Sequence, residues 1–521
     1  MGLRADPVTL TVFLVLFAGV AGLGLLAARW RKGDLSQLLE WGLGGRRFGT
    51  LITWFLLGGD LYTAYTFVAV PALMFGAGAI GFFAIPYGML AYPLLFVGFS
   101  RLWSVARRHG YITAADFVRG RFGSKSLALA VALTGIAATI PYIALQLFGL
   151  QVVIAALGIQ SLPGLSAIPD LPLVVAFVVL ALYTYSSGLR GTALIAIVKD
   201  LLVYGTVIAA VIVIPIELGG YAKIFASIDP EMLLLPRGNA YNLGAGFAYS
   251  SLALGSVLAL FLYPHATTGI LASSSRRAVE RNSIILPIYS FALALVALLG
   301  FVAVAAGVKA MPAFASGFDR FGNNFAVPAL FLSAFPNWFA GFAFAAIGIG
   351  ALVPAAIMSI ACGSLFSRNI YRDLIDADCT PRREAQVAKI VSFIAKLGAL
   401  FFVLALKSSY AIQLQLLGGI WICQTMPAVL VALFTRALHP TALLVGWAGG
   451  IAAGTGMAWS LGLRSSIYVL HIFGVAVPCY AALSALALNL GVAILLSIPF
   501  NALSRGPRAD ETKAADYVVR T

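Results

Sequence analysis

The sequence predicts an all-α protein that crosses a membrane many times. Three observations carry this. Of its 521 residues, 61% are hydrophobic and only 10% are charged, against about 25% charged in an ordinary soluble domain. The mean hydropathy is +0.97. The apolar residues gather into about thirteen segments near the ~20 residues that a spanning helix needs, and Lys and Arg fall mainly on alternate loops.

In chain order the segments run 8–28, 49–74, 79–104, 126–158, 172–188, 191–217, 243–264, 283–307, 324–361, 387–406, 411–434, 441–462 and 475–499. The first is long enough to span, and no small-residue cleavage site of a signal peptide follows it. The longer runs are expected to include interfacial or re-entrant pieces. One transmembrane domain, 1–500, and a short polar tail, 501–521, account for the chain. With the N-terminus outside and the C-terminus in the cytoplasm, 25 of the 34 Lys and Arg lie on cytoplasmic loops, 7 lie outside, and Lys199 and Lys396 fall within spans. This asymmetry obeys the positive-inside rule. It also accounts for the net charge of +15 without a nucleic-acid partner.

Catalytic patterns are missing. There is no HExxH, no GxSxG with triad partners and no Walker loop. The four histidines are far apart in sequence, and Cys362, Cys379, Cys423 and Cys479 show no metal or redox spacing, so they read as free thiols. An enzyme is not expected, nor a cofactor. With no nucleotide site, active transport runs on an ion gradient.

The most informative stretch is Leu56-Leu57-Gly58-Gly59-Asp60-Leu61-Tyr62-Thr63-Ala64-Tyr65. A carboxylate in an apolar segment is costly and marks a functional site by default. Gly58 and Gly59 weaken the helix beside it, and the hydroxyls of Tyr62, Thr63 and Tyr65 add a polar pocket. A discontinuous helix with a mid-membrane charge is how secondary transporters build binding sites, with exposed carbonyls for a cation and half-helix amides for an anion. Tyr142 and Gln146 are one turn apart and share a helix face; either they line a cavity, the favoured reading, or Gln146 makes an interhelical hydrogen bond. Lys199 and Asp200 are adjacent, so they are expected to point to different partners; a structural ion pair and a coupling-ion role stay open. In Tyr263-Pro264-His265 the proline ends or kinks a helix, and His265 reads as an interfacial hydrogen bonder. Lys396 reads as a snorkelling lysine. The charged, Asp-containing loop from Arg368 to Lys389 reads as a connector.

These motifs resemble the sodium/solute symporter family, from about Trp41 to about Arg436. The Gly-Asp-containing second span, Tyr142…Gln146-Leu147-Phe148-Gly149, Ser187-Gly188-Leu189-Arg190…Lys199-Asp200, Tyr263-Pro264-His265 and Ser364-Leu365-Phe366-Ser367-Arg368-Asn369-Ile370-Tyr371 carry the resemblance in order. The run Glu40-Trp41-Gly42-Leu43-Gly44-Gly45-Arg46-Arg47-Phe48-Gly49-Thr50, with the Gly-Gly-Asp run beyond it, is most similar to the bacterial monocarboxylate permeases.

The resemblance implies a five-plus-five inverted repeat, roughly 49–217 and 243–434, with one leading and two trailing helices. It implies a cation-coupled symporter of a bacterial cytoplasmic membrane that imports short monocarboxylates such as lactate and pyruvate, with alanine a further candidate. The partners are then the substrate and the lipid bilayer, with no obligate protein partner. Gly58, Gly59, Asp60, Thr63, Tyr65, Tyr142, Gln146, Asp200, Tyr263 and Ser359 are the implied binding residues, with Asp60 a candidate sodium ligand. Family members with a sodium site place two adjacent hydroxyl residues early in the ninth span. Here those positions are Val353 and Pro354, which offer no side-chain oxygen to a hard cation; a gapped alignment brings Ser359 there instead. The coupling ion is sodium or a proton, the latter carried by Asp60. An amino-acid or other organic-solute symporter of the same fold is the alternative, and a membrane-embedded solute sensor is the reading from a different class.

Overall fold

The computed structural model describes residues 3–29, 33–165, 167–405, 411–504 and 509–519. The basic residues Arg31, Lys32, Lys407, Arg505, Arg508 and Arg520, counted above, and the last residue of the segment 387–406 lie outside them.

Helices dominate. The leading helix is α1, Pro7–Leu26, whose first turn is capped by the Asp6 carboxylate accepting from the Thr9 amide at 2.8 Å. The helices that follow are α2, Thr50–Gly59; α3, Val70–Ala77; α4, Ala84–Leu94; α5, Ser100–His109; α6, Ala114–Phe122; α7, Lys125–Ala156; and α8, Leu171–Glu217. After them come α9, Gly244–Leu260; α10, Pro264–Leu271; α11, Pro287–Ala305; α12, Asn337–Phe366; α13, Pro381–Ala405; α14, Ala411–Ile422; α15, Pro440–Ser460; and α16, Ala481–Leu503. At the centre, α12 packs against α1, α7, α8 and α13, while α15 and α16 pack chiefly on each other.

Among the described residues, ten helical stretches are long and apolar enough to cross a membrane, or eleven when the bent pair α9–α10 is one span. The thirteen apolar segments of the sequence do not map onto these one to one. The 47 residues of α8 are two helical segments that meet without a loop; straight, they would run roughly 70 Å against ~30 Å of hydrocarbon. Gly188 kinks α8 with φ 56° and ψ −147°, a conformation that favours glycine. The segments 172–188 and 191–217 therefore meet at a kink with no loop between them.

Two expected spans need correction. The run 324–361 is two elements: a short helix, Ala326–Ala334, stops at Phe335 and Pro336, and α12 starts at Asn337. Proline fixes its own φ and disfavours helix at the residue before it. The segment 475–499 opens as a strand. Strands β1, Ile467–Ile472, and β2, Val475–Tyr480, form an antiparallel hairpin. Its two-residue turn has φ 50° at Phe473 and 82° at Gly474, as a tight hairpin turn requires. The spanning helix α16 begins only at Ala481.

One end of the bundle is rich in Arg and Lys, and it is closed by polar contacts. The Thr113 hydroxyl caps α6, accepting from the Asp116 amide at 3.0 Å, and donates to Asn369 Oδ1 at 2.7 Å. Asn369 returns a bond to Asp116 Oδ1 at 2.7 Å, and Arg368 lies 3.4 Å from the other oxygen. Arg368 and Arg372 also pair with Glu384, each at 3.2 Å, which fixes the 368–389 connector. The tail residues 509–519 pack here. Asp510 pairs with both Arg121 and, at 3.4 Å, Arg436; Asp516 accepts from His109 Nε2 at 2.9 Å; and Arg276 donates to the Tyr517 carbonyl at 2.8 Å.

Candidate functional site

Helix α2 stops at Gly59, and regular α-helix resumes only at Val70 after a wide π-type turn over Tyr65–Ala69. The Gly pair suits this stop. A Cβ on Gly58 would run into the Tyr289 ring, and one on Gly59 would lie 2.9 Å from Lys199 Nζ. The next half-helix has its first amides satisfied by side chains: Ala64 N–H donates to Gln146 Oε1 at 3.1 Å, and Tyr65 N–H donates to the Thr63 hydroxyl at 3.0 Å. Helix α7 comes close enough to supply Gln146 because Gly149, on the same stretch, lies directly against Ala64.

A second break mirrors the first. Helices α9 and α10 are bent by 46° across Phe261–Tyr263, where Pro264 opens α10 at its first turn. The two breaks touch through side chains. His265 Nε2 lies 3.3 Å from Asp60 Oδ2, and both residues are buried. Tyr142 stands over this contact, its ring centroid 5.4 Å from His265 and 5.5 Å from Tyr263; Tyr263 and His265 are 5.2 Å apart. Asp60 Oδ1, His265 Nδ1 and the Tyr65 hydroxyl are buried without a hydrogen-bond partner. Buried polar atoms are almost always bonded, so these three make the meeting of the two breaks a candidate site for a polar ligand.

The other side of the first break is held by α8. Lys199 Nζ donates to the Gly59 carbonyl and, at 3.2 Å, to the Tyr62 carbonyl, and lies 3.0 Å from Asp200 Oδ1. Both side chains are 0% exposed. Tyr289 donates its hydroxyl to Asp200 Oδ2 at 2.7 Å, and Tyr62 donates its hydroxyl to the Tyr289 carbonyl at 2.9 Å. The four residues close a ring through α8, α11 and the break.

The adjacent charges do take different hydrogen-bond partners, Lys199 the Gly59 and Tyr62 carbonyls and Asp200 the Tyr289 hydroxyl, but they also meet each other. The long Lys199 stem turns back so that Nζ and the Asp200 carboxylate meet, and both face the break. His265 is not an interfacial hydrogen bonder but the partner of Asp60. Lys396 does not snorkel: it is 1% exposed, and Nζ donates to Ser392 at 3.2 Å. Lys199, His265 and Tyr62 stand out in the sequence but lie outside the expected binding set, and Tyr289 does not stand out there at all. The signals were a lysine inside a span and a histidine just after a helix-breaking proline.

The expected site residues distribute as follows. Gly58, Gly59, Asp60, Thr63 and Tyr65 all lie on the first break. Tyr142 and Gln146 face the breaks from α7, Gln146 through an interhelical hydrogen bond. Asp200 joins the lysine ring. Tyr263 sits on the second break and donates to the Gln415 carbonyl at 3.0 Å. Ser359 is apart: its hydroxyl donates to Ala356 in its own helix at 2.9 Å. Nearer the break on α12 is Gly350, where an added Cβ would lie 3.7 Å from the Tyr62 carbonyl.

With this geometry in view, the family model for the sodium:solute symporter family matches residues 41–450. A monocarboxylate transport permease protein of Rhizobium johnstonii is 49% identical over 490 residues, covering 94% of this chain and 96% of that protein. An uncharacterized symporter of Bacillus subtilis, YodF, is 34% identical, covering 86% of this chain and 88% of that protein. Among solved structures, a Na+-coupled sialic acid symporter in a substrate-bound outward-open state superposes with a TM-score of 0.73 at 18% identity, covering 95% of this chain and 98% of that one. Mhp1, a nucleobase-cation-symport-1 transporter, gives a TM-score of 0.53 at 14% identity, covering 88% and 93%. The five-plus-five transporter fold is the one they share.

Proposed function

We propose that this chain, which belongs to the sodium:solute symporter family and is a transporter, not an enzyme, imports short monocarboxylates such as lactate and pyruvate together with a cation. The observation that carries the reading is the contact of two helix breaks through Asp60 and His265, ringed by unsatisfied polar atoms. The 49% identical relative is named for monocarboxylate transport. The substrate sits between the breaks under Tyr142 and Tyr263. The Tyr65 hydroxyl donates to its carboxylate, and Gln146 holds the half-helix end that frames it.

Coupling follows from charge. An ionised Asp60 beside a substrate carboxylate is a like-charge pair in a buried site, which is unfavourable. A cation entering with the substrate removes that repulsion, so the loaded site carries both or neither. The two repeats span roughly 49–217 and 243–434. The protein sits in a bacterial cytoplasmic membrane with the N-terminus outside and the Arg-rich end of the bundle, including the tail, in the cytoplasm.

The test is uptake of radiolabelled lactate into proteoliposomes, with sodium and proton gradients imposed separately and pyruvate, alanine and proline as competitors. Uphill uptake of lactate that pyruvate competes is the expected result. Proline uptake without lactate uptake would assign the site to amino acids instead.

A further inference from the structure

We infer that the Lys199 ammonium is a tethered cation that fills the carbonyl cage at the first helix break, so that this transporter binds no sodium there and its transport does not require sodium. The inference builds on the symporter reading above but concerns the ion, not the substrate.

An unwound helix frees backbone carbonyls in the membrane, and these either coordinate a cation or need another donor. Here two of them, Gly59 and Tyr62, accept from one ammonium group, which is fully buried. Asp200 stands 3.0 Å away and balances its charge, and Tyr289 holds Asp200 in place at 2.7 Å. The lysine thus meets carbonyl and carboxylate oxygens, the hard-oxygen donor set that a sodium ion would claim. A free cation entering the same cage would meet a fixed positive charge with no water to screen it. Gly59 leaves the room: a Cβ there would press on Nζ at 2.9 Å. The facing helix agrees. One turn on from Gly350, which approaches the Tyr62 carbonyl, α12 presents Val353 and Pro354, neither of which has an oxygen to add. Helix α8 has replaced the mobile ion with one of its own.

The experiment measures two properties of the purified full-length chain, comparing sodium with potassium medium: thermal unfolding, which needs no substrate, and initial lactate uptake in proteoliposomes. Wild type is expected to unfold at the same temperature in both and to take up lactate without sodium. Lys199→Ala and Lys199→Thr open the cage between the two carbonyls and Asp200, and are expected to become sodium-stabilised. Wild type stabilised by sodium, or needing it by about tenfold or more, ~1.4 kcal/mol of coupling, would overturn the inference. So would a folded, monodisperse variant whose unfolding ignores sodium. If neither variant folds, the wild-type comparison decides. Failure of lactate uptake under every gradient would count against the proposed substrate and leave the unfolding readout intact.

Discussion

His265 Nε2 lies 3.3 Å from Asp60 Oδ2, so the two discontinuous helices are joined where each is broken. Each side chain keeps one polar atom unsatisfied, a costly arrangement in a buried site unless a ligand completes it. Asp60→Asn removes the charge and keeps the shape. It is expected to abolish uphill accumulation while leaving insertion and folding intact, as read by uptake against a gradient beside size-exclusion profiles. Normal uphill uptake by this variant would end the role assigned to Asp60.

The Tyr289 hydroxyl is a donor to a buried carboxylate. Hydrogen bonds to charged groups contribute about 1.5–3 kcal/mol. Tyr289→Phe is expected to lose that much stability, seen as a lower unfolding temperature. Tyr204→Phe, whose hydroxyl has no such partner, serves as the control and is expected to change little.

Helix α7 approaches the break because Gly149 has no side chain to hold it away from Ala64. Gly149→Leu is expected to destabilise by about 1–3 kcal/mol, the usual cost of overpacking, and to slow uptake by lifting Gln146 from the Ala64 amide. Thermal unfolding and initial rates measure the two effects separately.

Asp116, Thr113 and Asn369 tie α6 to the end of α12 on the face proposed as cytoplasmic. Opening the pathway to that side is expected to break these bonds. Asp116→Ala is expected to shift the population toward the inward-open state, since a mutation that weakens one of two states moves the balance by that difference. Cysteine accessibility at Thr267, which lines the small cavity between Thr113 and Thr425, is expected to rise in the variant.

The tail adds a pH-dependent contact on that face. Burial pushes the Asp516 carboxyl up, but the hydrogen bond from His109, the Lys513 amide and the charges of His109 and Arg108 outweigh it, and the carboxyl is held below its ordinary 3.8. A depressed carboxyl contributes its stability above the unfolded value and loses it as pH falls through the folded one. Docking of residues 509–519 is therefore expected to persist down to about pH 4 and weaken below it. Asp516→Asn is expected to free the tail at neutral pH. Limited proteolysis of the C-terminus reports both.

The place of Asp60 at a helix break was legible from sequence because its signal is local: two glycines and a carboxylate where lipid allows neither. Tyr142 and Gln146 were legible as a pair because helical spacing puts them on one face. Lys199 was not, because adjacent residues on a helix diverge at Cβ and only the fold shows a four-carbon stem curling back to the break. His265 was hidden for a similar reason. Its partner lies about two hundred positions earlier, and nothing near a helix end announces a distant carboxylate. The strand Val475–Tyr480 was absorbed into a span because β-branched and aromatic residues raise hydropathy as helical ones do. Composition alone does not separate a short apolar strand from the start of a helix.

The ring through Tyr62, Lys199, Asp200 and Tyr289 also distributes stiffness unevenly. Unwound segments are ordinarily the most compliant parts of a transporter, yet this one is clamped on two sides by charged bonds. The second break has no buried ion at its carbonyls among the described residues; Thr267 donates to the Phe261 carbonyl at 3.0 Å, and the Tyr263 hydroxyl reaches Gln415. Flexure during the transport cycle is therefore expected to concentrate at the α9–α10 bend, with the first break as the stiffer support against which that bend works.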